Sequence, residues 1–66
     1  MKIVLSRYAN ENYNNTMAKL IKHFCPEVIE TIDEDGDRIL DLGVISEDVE
    51  EIMIALSISD CFHIME

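Results

Sequence analysis

Four carboxylates stand within five positions, Asp33-Glu34-Asp35-Gly36-Asp37. An oxygen-rich loop of this kind suggests calcium first, because hard cations take carboxylate ligands. The calcium loop of an EF-hand needs glycine at its sixth position and glutamate at its twelfth. Counted from Asp33, those positions hold Arg38 and Val44. The pattern fails, and the stretch reads as a solvated hairpin tip. His23, Cys25, Cys61 and His63 are zinc-binding residue types. His23-x-Cys25 and Cys61-x-His63 lack the wider spacing usual for paired zinc ligands, so no metal is expected. Cys61 and His63 lie two apart on one strand face. A nucleophile needs a base and an orienting acid beside it, and nothing here completes that set. No glycine-rich phosphate loop is present. A chain this short seldom encloses a ligand cavity of roughly 300–1,000 Å³. Neither a cofactor nor catalysis is expected, and the simplest role for Cys25 and Cys61 is as small core residues.

What could do work is charge. The chain has 66 residues and a formal net charge of −9. Residues 1–26 carry four basic side chains against Glu11, whereas residues 27–66 carry Arg38 against thirteen carboxylates. That balance disfavours direct contact with nucleic acid or an anionic membrane. The opening Met1-Lys2-Ile3-Val4-Leu5 is followed at once by Ser6-Arg7-Tyr8. That apolar run is too short for a signal core or a membrane span. The expectation is a cytoplasmic protein with reduced thiols.

The elements that would position these residues follow from periodicity. Lys2 to Arg7 is a strand candidate. Asn10 or Asn12 can cap a helix whose apolar stripe is Tyr13, Met17, Leu20, Ile21 and Phe24, ended by Pro26. Glu27 to Asp33 and Asp37 to Gly43 are strand candidates joined by the acidic turn, with Gly36 supplying a positive φ. Ser46 caps a second helix with stripe Val49, Ile52, Met53 and Leu56. Ser57 to Asp60 interrupts it, and Cys61 to Met65 is a last short strand, the alternative being that Ser57 to Ile64 prolongs the helix. The order β-α-β-β-α-β is that of the ferredoxin-like split βαβ motif, an α+β fold with two helices on one face of a four-stranded antiparallel sheet. The whole chain, 1–66, is one domain.

In that arrangement Glu11, Asp33, Glu34, Asp35, Asp37 and Asp60 gather at one end of the sheet. Lys22 reaches toward Glu47 or Glu51 at the other. Val4, Ile39, His63 and Met65 point out of the sheet face opposite the helices, with Cys61, Val28 and Ile32 beside them. Contiguous exposed apolar surface marks interfaces. In size and charge alone, the chain resembles phage-encoded antagonists of host defence or replication. The resemblance implies an inhibitor whose acidic edge imitates nucleic-acid phosphates on a partner protein with a basic surface. Two alternatives stay open. The charge can simply keep a small domain in solution, or the protein can be a dimeric regulatory or adaptor domain that binds through the sheet.

Overall fold

The structure, a computed structural model, describes residues 1–65. Its elements are β1 (Lys2–Leu5), α1 (Glu11–Phe24), β2 (Ile29–Ile32), β3 (Arg38–Asp41), α2 (Glu47–Ile58) and β4 (His63–Met65). The strands form one sheet in the order β2-β3-β1-β4, each neighbouring pair antiparallel. With both helices on one face, this is the ferredoxin-like α+β arrangement expected from the order of the elements.

Local chemistry explains each boundary. Asn10 caps α1: its Oδ1 accepts from the amides of Asn12 at 2.9 Å and Tyr13 at 3.2 Å. These are donors that the first helical turn cannot satisfy itself. Ser46 does the same for α2 through Val49 N at 3.3 Å. Lys22 and His23 lie in the last turn of α1, where positive charge complements the helix dipole. Pro26 follows two residues after α1 ends. The strands are shorter than the apolar runs suggested, because the residues flanking them turn away into caps and loops.

Ile3, Leu5 and Leu40 from the sheet, Ala18 and Ile21 from α1, Met53 from α2, and Leu42 and Phe62 form the core. The buried line of α1 is therefore Asn14, Ala18 and Ile21, with Met17 packed beside it. Tyr13 and Phe24, expected on that line, are exposed. Asn14 can be buried because its Nδ2 donates to the Ser6 carbonyl at 2.9 Å. In α2 only Met53 is fully buried, while Val49 and Leu56 pack against the core's margin. Ile52 faces outward with Ile54 and Ile58. The helix also runs on through Ser57 to Ile58, past the expected break.

Candidate partner-binding surfaces

Chain direction alternates from element to element, so the β2–β3 hairpin, the start of α1 and the end of α2 share one end of the sheet. Asp33, Glu34, Asp35, Asp37, Glu11 and Asp60 all belong to that end, but they do different work. Asp33 organises the hairpin: its Oδ1 accepts from the amides of Asp35 and Asp37, both at 2.9 Å. Its own amide donates to the Asp37 carbonyl at 3.0 Å, and Gly36 N donates to the Asp33 carbonyl at 3.1 Å. Gly36 takes φ +91°, which glycine adopts freely and other residues do not. Asp37 reaches out of the loop to Arg7. Its Oδ1 accepts from Arg7 N at 2.7 Å, and Arg7 Nη1 lies 3.4 Å from Oδ2. The Arg7 guanidinium also covers the Tyr8 ring at 4.4 Å.

Asp33 and Asp37 are thus committed within the molecule, whereas Glu34 and Asp35 project at the tip with no ion pair among the described residues. Glu11 lies in the first turn of α1, where the helix dipole favours negative charge. It shares a shallow hollow of about 300 Å³ with Leu5, Arg7, Ile32 and Gly36.

Asp60 is the anomaly. It takes φ 61°, among the described residues the only positive φ outside glycine. Its amide donates to the Ser57 carbonyl and that of Cys61 to the Leu56 carbonyl, both at 3.0 Å. This is a Schellman closure of α2, and glycine is the usual residue at the position Asp60 occupies. A carboxylate there also meets the negative end of the helix dipole. Next to it, the Tyr13 hydroxyl donates to the Cys61 carbonyl at 2.9 Å, tying α1 to the entry of β4. Desolvation of the hydroxyl, and then the neighbouring Cys61, push it above its ordinary pKa.

A second polar cluster lies between the sheet and α1. Glu30 Oε2 accepts from Arg38 Nε at 3.1 Å and meets Nη2 at 3.0 Å, and Lys22 Nζ lies 3.1 Å from Oε1. Arg38 Nη1 donates to Asn15 Oδ1 at 2.7 Å. Burial on its own would raise the Glu30 carboxyl, but hydrogen bonds and charge from Lys22 and Arg38 outweigh it and hold the group below its usual range. Lys22 therefore pairs with β2, not with Glu47 or Glu51 across the helices. Glu30 lies opposite Leu40 in the ladder, so it faces the helices and is within the lysine's reach.

Register also sorts the open face. Val4 pairs with Ile39 on one side and His63 on the other, and Lys2 pairs with Asp41 and Met65. Thr31 and Ile29 extend the same two rows on β2. Val4, Ile39, His63 and Met65 therefore share the face away from the helices, as alternation required. Ile39 is 8% exposed even there, and Ile29 is 64% exposed. Val28, Ile32 and Cys61 do not join that face. Val28 and Cys61 pack against the core. Ile32 lies opposite Arg38, which lies opposite Leu5, and so has helix-side parity.

Periodicity did not single out Tyr8, 83% exposed, or Ile58, 78% exposed, which with Ile32 flank the acidic end. Tyr8 sits in a turn where no repeat applies, and Ile58 lies beyond the expected end of α2. Among the described residues, no cluster of three or more His, Cys, Asp or Glu side chains is placed to hold a metal ion. Cys25 and Cys61 carry free thiols, and burial pushes that of Cys25 up, away from the reactive thiolate. No helix among the described residues is long and apolar enough to cross a membrane.

The chain matches no protein-family model, no curated protein and no solved structure. Two surfaces stand out among the described residues: an acidic end with apolar flanks and an open sheet face.

Proposed function

We propose that this protein binds another protein, and that its acidic end occupies a basic groove there in place of nucleic acid. The observation that carries the reading is the division of labour in the hairpin. Asp33 and Asp37 fix the loop through hydrogen bonds, and Glu34 and Asp35 are left to project from it. Charges held on a fixed frame lose little entropy when a partner arrives. They also attract a cationic site from a distance and speed encounter. Tyr8, Ile32 and Ile58 add exposed apolar area beside them, and tyrosine is a frequent anchor in protein interfaces. Asp60 supports the same reading, since a carboxylate stands where glycine would close the helix at lower cost.

In this reading the protein is a non-enzymatic inhibitor or regulator in the style of phage-encoded antagonists, acting in the cytoplasm on a nucleic-acid-handling protein. The test is capture from a cell extract, followed by competition with the nucleic acid that the captured protein binds. The expected result is mutual exclusion between this chain and that nucleic acid. A captured protein that binds both at once contradicts it.

A further inference from the structure

We infer that the open face of the sheet is a self-association surface, and that its occupant is a second copy of this chain. Two copies with a net charge of −9 each repel one another over most of their surface. The acids collect at the hairpin end and along the first turns of α2, where Glu47, Asp48 and Glu50 lie. The open face is different. Its two rows hold Ile29, Asp41, Lys2 and Met65, then Thr31, Ile39, Val4 and His63. Among the described residues of these two rows, the one carboxylate, Asp41, stands beside the one permanent cation, Lys2. Among the described residues Lys2 forms no ion pair, although Asp41 is its cross-strand neighbour.

An isologous contact uses the same patch on both copies. A two-fold axis can therefore bring Lys2 of one copy to Asp41 of the other while Ile29, Val4 and Met65 lose water. This face offers a second copy apolar contact without adding like charge, and it offers a self-complementary charge pair as well. The exposed isoleucines of α2 lack that property, because their helix begins with a cluster of carboxylates. Self-association through the sheet and docking of the acidic end respond to salt in opposite directions. Salt weakens docking of the acidic end on a cationic partner. It strengthens self-association, because the screened repulsion between two copies of charge −9 outweighs the small loss from the exposed Lys2–Asp41 pairs.

Sedimentation equilibrium and light scattering at low and high salt test it. The expected mass rises from 7.6 kDa toward twice that value with concentration, and does so at lower concentration in high salt. Ile29→Asp and Met65→Asp, both at exposed positions, should each keep the far-ultraviolet spectrum and hold the protein at monomer mass. Monomer mass at every salt and concentration overturns the proposal. So does a dimer indifferent to these changes but broken by Ile54→Asp or Ile58→Asp, or occupancy of the face by a different protein that leaves the chain monomeric without it.

Discussion

Arg7 and Asp37 are joined twice: the backbone amide of Arg7 donates to Asp37 Oδ1 at 2.7 Å, and its guanidinium lies 3.4 Å from Oδ2. The first bond fastens the end of the acidic hairpin to the segment that follows β1. The second is a partly exposed ion pair of little energetic weight. Asp37→Ala should therefore cost about 1–2 kcal/mol, because a backbone donor loses its acceptor. Asp37→Asn keeps an acceptor oxygen and should cost less than half as much. Urea unfolding of the two variants checks the order, and equal losses would mean that the charge, not the acceptor, matters.

Asp60 yields a prediction of opposite sign. Asp60→Gly relieves the left-handed backbone and the helix-end repulsion, and should stabilise the fold by about 0.5–1 kcal/mol. In a domain of this size that raises Tm by a few degrees, roughly 4–8 °C per kcal/mol. The same change removes a charge from the acidic end, so partner affinity should fall while Tm rises.

Glu30 sets an acid limit. The folded protein holds the Glu30 proton less tightly than the unfolded chain, so the unfolded state gains protons first as pH drops. The contribution from Lys22 and Arg38 is fully present above the unfolded pKa of about 4.3 and is lost as pH falls through the lower folded value. Glu30→Gln should cost about 1 kcal/mol at pH 7, and the gap to the parent protein should close in acid. Thermal unfolding of both proteins between neutral and strongly acidic pH measures it.

Gly36 links fold to site. A side chain at φ +91° is strained whatever space it has, although an added Cβ would meet only Arg7 Cδ at 3.6 Å. Gly36→Ala should cost about 1 kcal/mol or more and loosen the hairpin that presents Glu34 and Asp35. Hydrogen exchange at the Asp35 and Asp37 amides should accelerate more than at the core strands β1 and β3.

Much of the fold was legible in the sequence because each element carries its own punctuation: Asn10 and Ser46 as caps, Gly36 in the turn, Pro26 after α1. The buried line of α1 was not legible. It runs through Ala18, which has little apolar signal, and through Asn14, whose burial depends on a carbonyl supplied by Ser6. The pairing of Lys22 with Glu30 depends on strand parity, which a short β2 with apolar residues on both faces leaves open. The gathering of acids at one end followed from topology alone. That Asp33 and Asp37 work inside the loop follows from hydrogen-bond geometry that residue types do not encode.

Glu34 and Asp35 are expected to meet a cationic site on the partner. The most direct measurement is the affinity of the captured partner across a salt series, for the parent chain and for the double variant Glu34→Lys, Asp35→Lys. Both substituted positions are exposed, so the fold should survive. Parent affinity should fall roughly tenfold or more from low to physiological salt, and the double variant should bind at least as weakly in low salt. An affinity that ignores both salt and charge reversal would contradict it.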